Sequence, residues 1–515
     1  MSFMASGICQ VMMKRSGGLL PLYSSSASQV ISRWTHTTSS SGVSGVEPRT
    51  VQDLPRCSFL TLLYRMFFKG YYKCFHELQI YETKLYGPIY RDGLMAVCLS
   101  TPQLVEELLR NEEKYPSRGD MSFWKEYRDM RGYGYGPFTE EGEEWHNLRV
   151  LLSKQILHPK DAAQYGCIIN KVVSDFVTRI CYLRQRSPTG DLVTDMANEL
   201  YGFSLEGISA ILFETRIGCL EREIPPGTQE FINSIAQMFS NSLAVIMMPK
   251  WSRSLFPFWH RYIDGWEGIF SFAKKLIDKK LEAIRHSIDN NQDVQGEYLT
   301  YLLAKTDMST KDVYGSIAEL LLAGVDTTSN TLMWTMHLLS KHPEVQERLY
   351  QEVSSTIPPD STLSAEQVTR MPYLRAVVKE VLRMYPVVTM NGRTLYEKDV
   401  VVGGYYFPKK TSFKLCHYAI SHDEETFPEP FVFRPERWLR TGKDRPNPFG
   451  SIPFGFGVRS CVGRRIAELE MYMALIQLIR LFEIKPDPTV GEVKCLDRTV
   501  LVADRPVNFH FVERR

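Results

Sequence analysis

Residues 449–463 read FGSIPFGFGVRSCVG, and the part from Phe454 to Gly463 decides how the rest of the chain is read. Cys461 stands among Gly455, Gly457 and Gly463, with Arg459 two residues before it and a helical pattern directly after. A thiolate stays ionised in positive surroundings, which a helix N-terminus and a nearby guanidinium provide. Glycines let a backbone approach a flat ligand closely, because no Cβ stands in the way. An isolated cysteine in an arbitrary loop is usually a small buried hydrophobe. A buried thiolate at a helix start, wrapped by such a loop, suits the axial ligand of a haem iron.

Composition agrees with a large cofactor-bearing core. The 515 residues are 44% hydrophobic and 23% charged, ordinary for a globular protein. A formal net charge of +2 excludes a general nucleic-acid binder, so any electrostatic partner must be met by a local patch. The ten cysteines are scattered with no C-x-x-C pair. That excludes a conventional zinc ribbon or thioredoxin motif, differs from a secreted disulfide scaffold, and points to a reducing compartment.

Residues 1–46 contain no Asp or Glu, hold Lys14, Arg15 and Arg33, and are dense in serine; Glu47 is the first acid. This is the composition of a mitochondrial transit peptide. No run of roughly 18 apolar residues suits a membrane anchor. The expected division is therefore a transit peptide over 1–46 and a single domain over 47–515. Residues 94–99 read as a strand. Tyr133 to Gly136, YGYG, reads as a loop without the strand–turn–helix context and distal acid of a nicotinamide site.

Residues 143–152 predict a helix with Trp145 and Arg149 on one face, able to bind a carboxylate through indole N–H and guanidinium. The plainer alternative is an aromatic ring packed under an arginine stem. Residues 165–300 are mostly amphipathic helix. The exception, 243–259 (LAVIMMPKWSRSLFPFW), is apolar and aromatic but interrupted by Pro249, Lys250 and Arg253. It suits a segment resting in a lipid interface, or equally a buried helix–loop–helix corner.

Residues 313–340 predict one long helix, apolar nearly all round, as expected through the centre of a large domain. At its middle are Ala323, Gly324, Val325, Asp326, Thr327 and Thr328. Small residues at 323 and 324 leave room for a haem face and a diatomic ligand. An acid and adjacent threonines inside a buried helix are costly unless they have work to do, a water-filled kink being the plainer explanation. Residues 374–385, LRAVVKEVLRMY, predict a helix bearing Glu380 and Arg383 three apart, and on a different stripe Arg375 and Lys379. Arg464 and Arg465 follow the cysteine loop directly. Together these cations make a positive patch, or a merely solvated face.

The pattern F-G-x-G-x-R-x-C-x-G, matched at each fixed position, resembles the haem-binding loop of the cytochrome P-450 superfamily. The resemblance implies a mainly helical α+β fold with a smaller β region, and haem b between the 313–340 helix and the cysteine loop. Cys461 would ligate the iron, and Arg459 beside it in the loop would help bind the cofactor. The segment from Ala323 resembles the oxygen-activation motif. Thr327 would then hydrogen-bond the dioxygen, and Asp326, with ordered water, would relay the protons that drive O–O cleavage. Trp145 and Arg149 resemble the second haem anchor, and 387–393 (VVTMNGR) resembles a segment that touches substrate and offers Arg393 to a propionate. Glu380 and Arg383, with Arg437 of 433–438 (FRPERW), match a buried Glu–Arg–Arg network.

Finer resemblance runs through nearly the whole chain after residue 55. AGVDTTSNTL, PKWSRSLFPFW and FGSIPFGFGVRSCVGRRIAELEM look like the mitochondrial sterol 27-hydroxylase (sterol 26-hydroxylase) family, which also holds vitamin D hydroxylases and a retinoid desaturase. Thr389, Met390 and Gly392 depart from that family's commoner P-x-N-S-R form. The resemblance implies hydroxylation of a sterol side chain, at C26/C27 of cholesterol or a bile-acid intermediate, using O2. Electrons would come from NADPH through adrenodoxin reductase and adrenodoxin, the latter docking at Arg375, Lys379, Arg464 and Arg465. The enzyme would sit peripherally on the matrix side of the inner mitochondrial membrane. Vitamin D 25- or 1-hydroxylation and retinoid 3,4-desaturation are the alternatives within that machinery. A non-oxygenase haem-thiolate sensor or isomerase, and a plain sterol carrier, are alternatives of another class.

Overall fold

The computed structural model describes residues 48–156, 165–290, 298–305, 308–358, 363–439 and 446–514. The expected transit peptide over 1–46 lies outside them. The described residues from Arg49 onward pack as one compact unit.

The helices that position the site are α1 (Phe59–Phe68), α2 (Ser122–Arg131), α3 (Gly142–Ile156), α4 (Met196–Leu212), α5 (Thr228–Met247), α6 (Pro257–Asp289), α7 (Thr310–Lys341), α8 (Pro372–Met384) and α9 (Arg464–Leu481). Helix α7 starts cleanly because the Ser309 hydroxyl accepts from the Asp312 N–H, satisfying a donor that the first turn leaves open. From Gly315 to Ser340 every residue is buried except Ala323, Gly324 and Thr327. A helix apolar all round is stable only when wrapped, and α4, α6, α8 and α9 wrap this one.

Gly324 meets a packing demand as well. A Cβ there would come within 2.9 Å of Ile208 Cγ1, so the glycine serves the close crossing of α7 with α4. The main hydrophobic cluster surrounds α7, and a second one packs under the four-stranded sheet. Within the main cluster Trp334 stacks on Tyr385, with centroids 4.2 Å apart and planes 3° from parallel.

The β region is small. Ile89–Arg91, Val97–Leu99, Ser412–Leu415 and Asn391–Thr394 form a four-stranded sheet, in which Val97 pairs with Phe413 in parallel and Arg393 with Phe413 antiparallel. The strand expected over 94–99 thus begins at Val97. Two three-stranded sheets flank the helices, and Cys495–Asp497 pairs with Leu501–Ala503 as a hairpin near the C-terminus. The protein is mainly helical with small sheets.

Segment 243–259 comprises the end of α5, the four-residue helix Lys250–Arg253 and the start of α6. Its side chains part company. Trp251 is 80% exposed and Leu255 73%, whereas Trp259 is buried and Arg253 turns inward, its Nη1 2.5 Å from Glu126 Oε2. The apolar face of α1 is open as well, with Leu60 and Phe68 each 75% exposed. Its opposite face, Leu62 and Met66, packs in one cluster with Leu243 and Met247. Among the described residues no helix is long and apolar enough to cross a membrane.

Candidate active site

The loop preceding α9 is shaped by its own backbone. Cys461 N–H donates to Phe454 O at 2.8 Å and Gly455 N–H to Ile452 O at 2.8 Å. Gly455 and Gly457 take φ of +72° and +73°, values that side-chain-bearing residues rarely adopt. Cys461 is half-buried at the turn leading into α9. Burial raises its thiol pKa, while the Gly463 N–H and the charges of Arg149, Arg118 and Arg464 pull it down. These last influences favour a thiolate and suit a metal ligand.

Four guanidinium groups gather beside this loop. Buried Arg459 donates through Nε to Pro116 O at 2.7 Å and through Nη2 to Glu140 O at 3.1 Å, and lies 3.7 Å above the Trp145 ring. The face of Trp145 thus carries Arg459 as a cation–π shelf, which leaves its indole N–H free of that contact. Arg149 Nη2 donates to Ser460 O at 2.7 Å, tying α3 to the cysteine loop. Arg393, at the edge of the four-stranded sheet, pairs with Glu112. The fourth, Arg118, was missed by the sequence reading. Its Nη2 donates to Arg459 O at 3.3 Å, and its Nε has no partner among the described residues.

Burial and mutual repulsion lower Arg118 to about 10 and Arg459 to about 8. Glu112 is the carboxylate that answers this excess directly, through Arg393. Converging guanidiniums with spare donors and a shortage of anions form a receptor for a dicarboxylate. Haem carries two propionates, and the residues present fit it. A lone arginine in YPSRGD gives no local signal, which is why Arg118 escaped notice.

On α7, the accessible residues Ala323, Gly324 and Thr327 form one small open patch in an otherwise buried stretch. Thr327 donates its hydroxyl hydrogen to Ala323 O at 2.7 Å, which leaves its lone pairs able to accept. Asp326 points elsewhere. Its Oδ1 accepts from Tyr201 Oη and from Arg498 Nη2 at 2.8 Å, and its Oδ2 has no partner among the described residues. Asn330 Nδ2 donates to Tyr201 Oη at 2.9 Å. Tyr201 and Arg498, 125 and 172 positions from Asp326, were not found from sequence.

Glu380, Arg383 and Arg437 come together. Glu380 takes Arg383 in a two-point pair (2.9 and 2.7 Å) with neither side chain exposed, and Arg437 Nε at 2.9 Å. Trp438 Nε1 also donates to it, at 2.8 Å. Arg383 and Arg437 spend their other donors on the backbone carbonyls of Ser421, Pro430, Pro428 and Glu429. On the outer stripe of α8, Lys379 is exposed and has its pKa lowered by desolvation and by the charges of Arg464 and Arg375, so these three lie in one field. Arg464 and Arg465 are exposed at the start of α9.

A cytochrome P-450 family profile matches residues 55–511. The chain is 46% identical over 478 residues to "Sterol 26-hydroxylase, mitochondrial" of Mus musculus, covering 91% of this chain and 90% of that one, with the same figures for the Homo sapiens protein. It is 44% identical over 477 residues to "25-hydroxyvitamin D-1 alpha hydroxylase, mitochondrial" of Homo sapiens, covering 90% and 93%. A profile spanning the described fold, with relatives this similar across nine-tenths of both chains, makes the protein a haem-iron monooxygenase belonging to the cytochrome P-450 family.

Proposed function

We propose that the protein is a mitochondrial haem b-thiolate monooxygenase that hydroxylates a sterol side chain at C26/C27, using O2 and electrons from adrenodoxin. The convergence of Arg118, Arg149, Arg393 and Arg459 on the cysteine loop carries the cofactor part of this reading. The substrate part is supported by 46% identity to the sterol 26-hydroxylases over nine-tenths of the chain. When bound, a thiolate-ligated haem supplies dioxygen reduction and cleavage: one oxygen atom enters a C–H bond as hydroxyl, and the other leaves as water after two electrons and two protons are taken up.

The chain's residues supply the rest. Cys461 would hold the haem iron through its sulfur, and Arg118, Arg149, Arg393 and Arg459 would receive the propionates. The Thr327 hydroxyl, its hydrogen committed to Ala323 O, presents a lone pair to a hydrogen-bond donor in the open patch. Asp326 passes protons inward through water. Arg375, Lys379, Arg464 and Arg465 receive a small acidic iron–sulfur protein, an attraction that weakens as salt rises. Exposed Trp251 and Leu255 beside Lys250, with the open face of α1, rest against the matrix side of the inner membrane. The expected apolar substrate would arrive from that side.

Vitamin D hydroxylation is the second reading, favoured by 44% identity to the vitamin D 1-alpha hydroxylase. Reconstituted enzyme offered cholestane triol, vitamin D and retinol in parallel separates the readings. A terminally hydroxylated sterol is the expected main product; turnover of vitamin D or retinol alone would overturn the sterol assignment. Cys461→Ala should abolish the long-wavelength Soret band of the reduced carbon-monoxide form, and its persistence would remove the haem-thiolate reading altogether.

A further inference from the structure

The acid of α7 is gripped on one oxygen only. Tyr201 and Arg498 both reach Asp326 Oδ1, while Asp326 Oδ2 and Arg498 Nε have no partner among the described residues. Arginine–carboxylate pairs are frequently fork to fork, using both oxygens, as Arg383 meets Glu380. Here the fork is forgone.

The hydrogen-bond count at Tyr201 fixes the direction of the bonds. A phenol oxygen has two lone pairs and one hydrogen. Arg498 Nη2 at 2.5 Å and Asn330 Nδ2 at 2.9 Å take the lone pairs, so the hydrogen goes to Asp326 Oδ1. With two donors on Oδ1, rotation of the carboxylate is stopped and Oδ2 becomes the oxygen left for exchange.

The arm that carries Arg498 is itself held. Leu501 N–H donates to Val387 O at 2.9 Å and Trp334 Nε1 to Leu501 O at 3.3 Å. At the hairpin turn Asp497 accepts Thr389 Oγ1 at 3.1 Å and Thr499 N–H at 3.0 Å. Thr499 sits at φ +79°, costly for a β-branched residue and tolerated where surroundings impose it.

We propose that Tyr201 and Arg498 are positioning residues for proton delivery, locking Asp326 Oδ1 so that Oδ2 exchanges protons with the water serving the oxygen beside Thr327. This rests on the reading of Asp326 as the proton relay. Oδ2 takes a proton from one water and gives one to the next; Asp326 ends unchanged, and the proton that solvent loses ends in the product water.

The test uses reconstituted holoenzyme carrying Tyr201→Phe, Arg498→Met, Arg498→Lys and Asp326→Asn. It records product formed per O2 consumed, hydrogen peroxide released, and the optical shift on substrate binding. Tyr201→Phe should lower product per O2 severalfold and raise peroxide, with the binding shift retained. The double variant Asp326→Asn/Tyr201→Phe should be no worse than Asp326→Asn, and Arg498→Lys should recover part of what Arg498→Met loses. Apart from turnover, the urea midpoint of the double variant should fall by less than the sum of the single shifts.

If Asp326→Asn uncouples while the Tyr201 and Arg498 variants stay coupled, or if the midpoint shifts simply add, the positioning role is overturned and Asp326 keeps its own. If Asp326→Asn leaves coupling unchanged, the relay reading fails with it. Should Arg498→Met fail to hold haem, the conservative Tyr201→Phe decides alone.

Discussion

Thr327 and Glu470 show how much depends on where a single polar atom finds its partner. Thr327 commits its hydrogen to Ala323 O, yet its oxygen stays open at the accessible patch. Thr327→Ala should therefore leave haem content and oxygen uptake near normal while product per O2 falls and peroxide rises, on the order of 10-fold. Glu470 has no such outlet. It is buried on α9 with Oε1 unpartnered, in the space where a Cβ on Gly207 of α4 would lie 2.4 Å away, and burial raises it to about 8. The folded state thus keeps a proton that the unfolded chain sheds above about 4.5. The contribution of Glu470 to stability therefore falls as pH rises from there to about 8, by up to about 1.4 kcal/mol per unit, against the opposite slope of the buried histidines. Glu470→Gln should remove that decline, as urea unfolding at pH 5 and pH 8 would show. Cys461, Thr327 and Arg149 were legible because their neighbours in sequence carry the pattern. Arg118, Tyr201 and Arg498 were not, since each acts on residues brought near only by the fold.

At the scale of elements, α8 presents two faces with opposite tasks. Inside, Glu380 is surrounded by Arg383, Arg437 and Trp438 and none of the pair is exposed. Removing one guanidinium leaves a buried charge short of a partner, so Arg437→Ala should cost about 3–5 kcal/mol and reduce haem retention, seen in thermal unfolding and the Soret band. Outside, Lys379 shares a field with Arg375 and Arg464. Lys379→Glu should raise the apparent KM for the reduced iron–sulfur protein severalfold with the carbon-monoxide spectrum intact, the gap narrowing at high salt. The helices themselves were legible: 313–340 was expected and Thr310–Lys341 observed, because a long run of buried residues leaves little choice. The packing role of Gly324 was not, because sequence cannot tell which neighbour a missing side chain admits. For 243–259, residue types permitted both a lipid contact and a buried corner, and the fold exposes Trp251 while it buries Trp259.

For the molecule as a whole, acid is the weak side. Buried His76, His337, His417 and His422 are each lowered to about 4, chiefly by desolvation. The unfolded chain takes up protons near 6.5 that the native protein refuses. Stability from these groups is therefore complete above about 6.5 and lost as pH falls toward 4, at up to about 1.4 kcal/mol per pH unit for each group. Unfolding midpoints between pH 7 and 4.5 should drop with an uptake of more than one proton; a flat profile would contradict it.

The gathering of Arg118, Arg149, Arg393 and Arg459 against Glu112 has a consequence for assembly. Mutual repulsion weighs on the charged forms of Arg118 and Arg459, and on the proposed reading the two acid arms of a porphyrin would be the counter-ions. Loading should therefore act as the last folding step rather than as decoration of a finished scaffold. Sulfate or a small dicarboxylate should raise the melting point of the empty chain while scarcely moving that of the loaded one.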